Sequence, residues 1–277
     1  MDRSDIEGKV ASHYTRGDVT KRILTTLGLQ DAAAGSVPIE ALLPVDQLHH
    51  GGVGLTERMA SVAGIKSGMR LLDAGSGIGG SARFLAGRFD CEVEAIDLSD
   101  EFVRTAQDLD RIVGLSGKIH HRVGSVLDMP YETASFDVVW SQNVTMNVAD
   151  KKTMFAEAFR VLRPGGVYVL THFGSGNGQA IDYPVPWAMT EATSFVTPPS
   201  QLTQLLSDAG FGDIVDHAKD APPPPPPPQS DGQPDDSLAM GDDMPQRRAN
   251  SGRAVADGRL VPMLVTAVRR ERGGPSA

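Results

Sequence analysis

Short apolar runs alternate with amphipathic stretches along the chain from residue 69 onward. An apolar run of roughly four to eight residues between turn residues predicts a buried strand, whereas apolar positions three and four apart predict a helix. Strands that alternate with helices predict an α/β fold, an open and mostly parallel sheet with helices on both faces. The predicted strands are 69–75, 91–99, 119–126, 136–142, 165–173, 212–218 and 260–268, and the predicted helices are 81–89, 101–114, 152–162 and 198–211.

The first 60 residues have a different pattern, in which turn-rich loops separate helical segments. Four apolar residues between Val19 and Leu27 share one helical face, which predicts a helix within residues 17–29. Asp18 is the expected N-cap of that helix, because its side chain can accept a bond from a free backbone N–H. A further helix is predicted at 55–65.

These patterns divide the chain into four parts. We expect a helical cap and substrate segment, a core that contains a lid over the sheet edge, a mobile proline-rich and acidic linker, and a final helix and strand. Their ranges are 1–60, 61–220 with the lid at 173–199, 221–246, and 247–277. Pro222 to Pro228 are seven consecutive prolines, which favour an extended linker, or a ligand for an aromatic groove in a partner.

Composition narrows the classes of function. The chain has 26 Lys and Arg against 35 Asp and Glu, so its net charge of −9 argues against nucleic-acid binding by the whole surface. No apolar run reaches the roughly 18 residues of a membrane span, and the first residues do not resemble a secretory signal. The single cysteine, Cys91, permits no internal disulfide. A cytoplasmic location is therefore expected.

A glycine-rich turn follows the first predicted strand. Glycines at 75, 77, 79 and 80 permit unusual backbone angles and a close approach of backbone to ligand. Asp97 ends the next strand, 20 residues after Gly77, where a carboxylate can accept bonds from both hydroxyls of a ribose. The turn and the acid together fit a dinucleotide or another adenosine-containing cofactor.

Three further features separate these alternatives: Asp73 two residues before the first glycine, the run from Phe136 to Ser141, and Arg163-Pro164-Gly165-Gly166. With the glycine turn, they resemble class I S-adenosylmethionine-dependent methyltransferases over residues 65–172. The resemblance implies a Rossmann-like, seven-stranded, mostly parallel sheet with an N-terminal helical cap and a lid insertion. A nicotinamide-dependent oxidoreductase would leave these features unexplained.

The resemblance also implies the cofactor and its contacts. The methyl donor would be S-adenosyl-L-methionine, the product S-adenosyl-L-homocysteine, and no metal would be required. Asp73 and the glycines would lie at the methionine end, Asp97 at the ribose, and Leu98 on the adenine. The Ser125 hydroxyl or the Val126 amide would face the adenine edge. The full set of implied cofactor residues is Tyr14, Gln47, Asp73, Gly75, Gly77, Gly79, Asp97, Leu98, Ser125, Val126, Leu127 and Ser141.

A closer resemblance connects the chain with methyltransferases of the sarcosine/dimethylglycine and tocopherol type. It depends on the segments 44–52, 140–143, 146–151 and 183–188. The residues that it places in catalysis are His49, His50, Gln142 and Asn143, and those that it places at the acceptor are His49, Asn143, Met146, Tyr183 and Trp187. A metal site formed by Asp46, His49 and His50 is disfavoured, because no further ligand cluster is evident.

The expected reaction is in-line transfer of a methyl group to a small molecule, with an amine nitrogen as the acceptor. Alignment and removal of water would supply most of the catalysis. C-methylation of an apolar or prenylated metabolite is the alternative, and a histidine would then act as the base. Structural roles compete with several of these assignments: loop contacts for His49 and His50, a hydrophobic staple for Tyr14, and lid packing for Tyr183 and Trp187. The oligomeric state is not determined by the sequence, and a homo-oligomer is one alternative.

Overall fold

One seven-stranded sheet runs through the computed structural model, which describes residues 2–220 and 234–270. Its strands lie in the order β3-β2-β1-β4-β5-β7-β6, in which β1 to β5 are parallel and β7 is antiparallel to both of its neighbours. The prediction of a seven-stranded, mostly parallel sheet is confirmed. The strands are β1 (Arg70–Ala74), β2 (Glu92–Asp97), β3 (Ile119–Val123), β4 (Phe136–Gln142), β5 (Leu162–Ser175), β6 (Phe211–Asp216) and β7 (Leu260–Arg269).

Helices cover both faces of this sheet. They are α1 (Arg3–Tyr14), α2 (Val19–Leu27), α3 (Leu43–Asp46), α4 (Gly52–Val62), α5 (Gly80–Phe89), α6 (Asp100–Ile112), α7 (Lys151–Val161), α8 (Pro199–Asp208), α9 (Ser237–Met240) and α10 (Met244–Ala256). Successive strand residues point to opposite faces. Accordingly, Leu71 packs in a cluster with α4 and α5, and Leu72 in a cluster with α7 and α8.

The predicted helix near residue 20 is confirmed, but its predicted cap is wrong. Asp18 occupies the N-cap position of α2 in a left-handed conformation, with φ of 56°, and its side chain makes no capping bond. The Glu101 carboxylate instead accepts the backbone N–H groups of Arg16, Gly17 and Val19 at 2.7, 3.0 and 3.2 Å. A residue from α6 therefore holds the turn between α1 and α2, which local sequence patterns do not reveal.

The predicted linker is partly helical. Its acidic end contains α9 and the start of α10, where Ala239, Met240 and Met244 are buried with α2 and α6. These apolar residues bury surface that a linker would leave in water, so the mobile-linker prediction is corrected from residue 234 onward. Pro222 to Pro228 lie outside the described residues.

Pro262 lies where a strand tolerates a missing N–H. It pairs with Phe173 of β5, whereas β6 reaches only as far as Val265 on the other side of β7. The first part of β7 is therefore an edge on that side, as the sequence predicted for this proline.

Candidate active site at the carboxyl ends of the strands

The glycine turn connects β1 to α5. Gly75, Gly77 and Gly79 have φ of 87°, 54° and 83°, a region that L-residues with a side chain rarely adopt. The Gly77 N–H donates to Asp97 Oδ2 at 2.8 Å, and the Gly75 N–H donates to the Ile96 carbonyl at 2.8 Å. The turn is thus bonded to the end of β2, and the two acids of the predicted cofactor site come to the same sheet edge.

Two buried polar atoms at this edge lack a hydrogen-bond partner among the described residues. They are Asp73 Oδ2 and Ser76 Oγ. Burial, together with the nearby Asp97 carboxylate, raises the pKa of Asp73 to about 7. A buried carboxylate without a partner favours a cationic ligand, since unpaired polar groups are costly to bury. These atoms fit a ligand that carries a positive charge and several donors.

The segment after α3 packs directly on the turn. A Cβ built on Gly80 would lie 2.1 Å from the Asp46 carbonyl oxygen, and one built on Gly77 would lie 3.5 Å from Leu48 Cδ1. The absence of a side chain at position 80 permits this close approach. The segment that contains the predicted acceptor residues is therefore in contact with the predicted cofactor turn.

Gln142 and His49 form the centre of a buried polar cluster. Gln142 Nε2 lies 3.0 Å from His49 Nδ1, and His49 Nε2 lies 3.2 Å from Gln47 Oε1 and 3.2 Å from Thr56 Oγ1. Burial lowers the pKa of His49 to about 4. The imidazole is therefore neutral at pH 7, and both of its nitrogens already have protein partners.

His50 and Asn143 form a second pair at the same edge. Asn143 Nδ2 lies 3.1 Å from His50 Nδ1, and Asn143 Oδ1 accepts from the Thr171 hydroxyl at 2.7 Å. Asn143 has a φ of 58°, a conformation that its own side-chain bonds and its backbone bond to Thr171 support. Neighbouring groups desolvate the imidazole of His50 and lower its pKa, although the residue as a whole is exposed, so this ring is also neutral at pH 7.

Aromatic side chains line the neighbouring lid. The His50 ring lies 4.7 Å from that of Phe173, which stacks on Trp187 at 5.2 Å. Trp187 is buried in one cluster with Met146 and with the partly buried Tyr183. The residues predicted at the acceptor therefore lie together, and lid packing accounts for the inner surface of Trp187.

Asn147 connects the lid with the N-terminal helix. Its Nδ2 donates to the carbonyls of Trp187 and Thr193 at 2.7 and 3.1 Å, and its Oδ1 accepts from the Tyr14 hydroxyl at 2.8 Å. Burial and the negative charge of Asp97 raise the pKa of Tyr14, so the hydroxyl stays protonated. Tyr14 is thereby placed between the lid and the ribose-binding acid that the sequence predicted.

Other predicted cofactor residues are engaged in different contacts. The Ser125 hydroxyl donates to Glu7 Oε1 at 2.5 Å, and its contact with an adenine edge, or that of the Val126 amide, stays a prediction. The Val126 and Leu127 side chains pack in the core cluster below the sheet edge, and Leu98 is half-buried. Gln47 bonds to Asp46 and Thr56 on the acceptor side of the turn.

Residues whose roles depend on distant partners were not predicted from the sequence. Arg83 is completely buried and bonds to Asp46, Asp110 and the Ile78 carbonyl. An arginine in an amphipathic helix ordinarily indicates a solvent-facing position, so no local pattern identified it. Thr56, Phe173 and Asn147 were missed for the same reason. In residues 2–220 and 234–270, no three His, Cys, Asp or Glu side chains form a group that could hold a metal ion.

The comparisons with known proteins agree with this geometry. Residues 72–170 match the family model described as a methyltransferase domain. The chain is 33% identical over 173 residues to sarcosine/dimethylglycine N-methyltransferase from Halorhodospira halochloris, covering 60% of this chain and 61% of that protein. It is 28% identical over 211 residues to phosphoethanolamine N-methyltransferase 1 from Arabidopsis thaliana, covering 75% of this chain and 41% of that protein. It thus spans less than two thirds of the length of either relative.

A solved structure shows the same fold over nearly the whole length. Geranyl diphosphate C-methyltransferase from Streptomyces coelicolor A3(2) aligns with a TM-score of 0.68 at 20% identity, covering 97% of this chain and 99% of that one. The glycine turn, the two strand-end acids and the matched domain lead to one conclusion. Residues 72–170 form a methyltransferase domain of the class I S-adenosylmethionine-dependent kind.

Proposed function

We propose that this protein transfers a methyl group from S-adenosylmethionine to an amine nitrogen of a small molecule. The observation that carries the proposal is the pair of strand-end acids beside the glycine turn, Asp73 with an unpartnered oxygen and Asp97 bonded to Gly77. Asp73 would hold the cationic methionine end of the cofactor, and Asp97 would accept from the ribose hydroxyls. The bound cofactor supplies an electrophilic methyl group.

The protein's own contribution is alignment and exclusion of water. The 46–50 segment packs on the turn, Gln142 and Asn143 at the end of β4 bond to it, and the predicted lid packs beside them. An acceptor enclosed there would be held in line with the methyl group, which is the main source of rate in such a displacement. The His50 ring, which lies against the buried stack of Phe173 and Trp187, would offer aromatic surface to a methylated, cationic amine.

The state of the histidines supports nitrogen rather than carbon as the acceptor atom. Carbon methylation needs a base or a stabilised cation, and His49 or His50 was the expected base. His50 Nδ1 faces the Asn143 amide nitrogen at 3.1 Å, and its pKa is lowered to about 4. Both nitrogens of His49 have protein partners, and its pKa near 4 makes it a weak base at pH 7. A neutral amine attacks through its own lone pair and needs no such base.

The named relatives support small acceptors of this kind. The curated relatives include N-methyltransferases for sarcosine, dimethylglycine and phosphoethanolamine. A sterol C-methyltransferase from Oryza sativa subsp. japonica is 37% identical over 113 residues. Methylation of carbon is therefore tested as the alternative. In the described part of the chain, no helix is long and apolar enough to cross a membrane. A homo-oligomer and a cytoplasmic location stay predictions.

The direct test is methyl transfer from labelled S-adenosylmethionine. The acceptors would be glycine, sarcosine, dimethylglycine, phosphoethanolamine, geranyl diphosphate and a sterol, each assayed separately, with product identified by mass spectrometry. Label on an amine acceptor supports the proposal. Label on a carbon of the prenyl or sterol acceptor would overturn nitrogen as the acceptor atom. The Asp97→Ala variant is the negative control, because it removes the ribose acceptor.

A further inference from the structure

We propose that Arg83 is a positioning residue: through Asp46 and Gln47 it fixes His49 as its neutral Nε2–H tautomer at the acceptor site. The inference rests on the proposed function for its catalytic meaning. The orientation itself follows from which atoms in the cluster can only donate and which can only accept. Arg83, Asp46 and Gln47 are buried, and His49 is partly buried.

The chain of contacts begins at the guanidinium. Arg83 Nε and Nη2 lie 3.1 and 3.0 Å from Asp46 Oδ2, and Nη2 also donates to the Ile78 carbonyl at 2.7 Å. On the opposite side, Nη1 donates to Asp110 Oδ1 at 3.0 Å, and Asp110 Oδ2 lies 2.8 Å from His121 Nε2. Arg83 thus joins the glycine turn, α3 and α6 in one network of charged hydrogen bonds.

Asp46 determines how the next side chain is turned. Paired with Arg83, its carboxylate only accepts, so the group 2.8 Å from Asp46 Oδ1 must be the Gln47 amide nitrogen. Gln47 Oε1 then faces the other way. It lies 3.0 Å from the Thr56 hydroxyl and 3.2 Å from His49 Nε2. Because Gln47 Oε1 can only accept, the bond forms only if His49 Nε2 carries the proton.

Gln142 determines the protonation state of the other nitrogen of His49, Nδ1. The Trp140 indole N–H can only donate, and it lies 3.2 Å from Gln142 Oε1. The Ser81 hydroxyl donates to the same oxygen at 2.7 Å. The Gln142 amide nitrogen must therefore face His49 Nδ1, 3.0 Å away, and that nitrogen must accept.

The opposite tautomer has a competing contact. His49 Nδ1 lies 3.1 Å from the His50 carbonyl, which could accept from an Nδ1–H group. That tautomer would gain this bond, and its Nε2 could accept from the Thr56 hydroxyl at 3.2 Å. It would lose the bond to Gln47 and the bond from Gln142, and the Thr56 hydroxyl would no longer donate to Gln47 Oε1. Three bonds against two favour Nε2–H, because an unpaired buried group costs more than a typical bond contributes.

The consequence concerns the geometry of the acceptor site. A ring held from both sides cannot turn, and its neighbour His50 follows it directly in the chain. His50 Nδ1 accepts from Asn143 Nδ2, since Asn143 Oδ1 receives the Thr171 hydroxyl. The proton of neutral His50 is therefore also on Nε2. The site thus presents the Nε2–H group of His50 as a fixed donor. Arg83 helps to hold the 46–50 segment, which carries this histidine.

The test reads the tautomer directly by long-range proton–nitrogen NMR on protein labelled with ¹⁵N-histidine. The His49 signals are assigned by their loss in a His49→Asn variant. The parent should give a single Nε2–H pattern for His49 that does not change between pH 5.5 and pH 8, roughly one or more units above a pKa near 4. Asp46→Asn and Gln47→Met should convert it to a mixture of both tautomers.

Two further variants keep the test decisive. Gln47→Glu places a second carboxyl group beside Asp46, which keeps it protonated on the oxygen that faces Asp46 Oδ1. Its other oxygen retains an acceptor opposite Nε2, so the single Nε2–H pattern should persist. Arg160→Lys weakens a similar arginine pair with Glu157, and it should leave the His49 signals unchanged. An Nδ1–H pattern in the parent, or an unchanged pattern in both Asp46→Asn and Gln47→Met, would overturn the inference. Because this readout needs no methyl acceptor, its failure is distinguishable from failure of the proposed function.

Discussion

An alanine at position 80 would test how closely the segment after α3 packs on the glycine turn. Gly80 has ordinary helical backbone angles, so the substitution adds a methyl group without backbone strain. That methyl carbon would lie 2.1 Å from the Asp46 carbonyl oxygen and 2.8 Å from Gln47 Nε2. Real Cβ atoms keep at least 3.0 Å, so the segment must move away by about 0.9 Å.

The expected cost follows from two opposing effects. Forcing a methyl group into a well-packed site costs about 1–3 kcal/mol. Replacing glycine by alanine in a helix gains at most about 1 kcal/mol. We therefore expect Gly80→Ala to lower the free energy of unfolding by about 1–2 kcal/mol. The melting temperature of a chain of this size would fall by about 2–8 °C.

The assay is thermal unfolding together with calorimetric titration of S-adenosylhomocysteine. Gly252→Ala is the matched control, because Gly252 lies within α10 and a Cβ there would meet no atom within 4 Å. This control should gain about 0.5–1 kcal/mol and keep its affinity. If Gly80→Ala is as stable as the control and binds equally well, the segment does not pack on the turn, and the reasoning is refuted.

Three other predictions concern single side chains. Asp97→Ala should weaken binding of S-adenosylhomocysteine by about 1–3 kcal/mol, since the ribose hydroxyls lose their acceptor. An unchanged affinity in calorimetry would show that Asp97 is not part of the cofactor site. With a pKa of about 7 in the free protein, Asp73 is increasingly protonated below pH 7, so affinity for the cationic ligand should fall as pH decreases below 7. In titrations from pH 5.5 to 8, Asp73→Asn should lack this dependence, and a parent without it would contradict the assignment. Tyr14→Phe should lower the free energy of unfolding by about 1 kcal/mol in urea, because its hydrogen bond to Asn147 is lost. The control is Tyr131→Phe, which should lower it little, because the Tyr131 hydroxyl has no described hydrogen-bond partner. Equal losses of stability in the two variants would contradict the bond to Asn147.

The sheet and the cofactor edge were predictable because their signals are local. Apolar runs identify the strands, and parallel strands bring their carboxyl ends to one edge, where Asp73, the glycines and Asp97 then meet. The gathering of His49, Gln142 and Trp187 at that edge was predicted as well, on the strength of the resemblance.

The details that decide the chemistry were not predictable, because they depend on pairs far apart in the chain. Nothing near Asp18 reveals that Glu101, more than 80 residues later, binds the turn before α2. Ser125 was assigned to the cofactor, and only the structure reveals that its hydroxyl donates to a carboxylate from α1. His49 or His50 was expected to be the base if carbon is the acceptor, and only the contacts with Gln47 and Gln142 reveal that both nitrogens of His49 are occupied.

The position of β7 has a consequence for how this protein is made. Among the described strands, β6 pairs with β7 alone, and β7 is the last of the seven in chain order. Until β7 leaves the ribosome, β6 has no partner and one edge of β5 is bare along its length. Bare edges pair readily with other chains. Nascent or truncated chains that end before residue 260 should therefore aggregate through β5 and β6, even though every residue of the glycine turn has been synthesised.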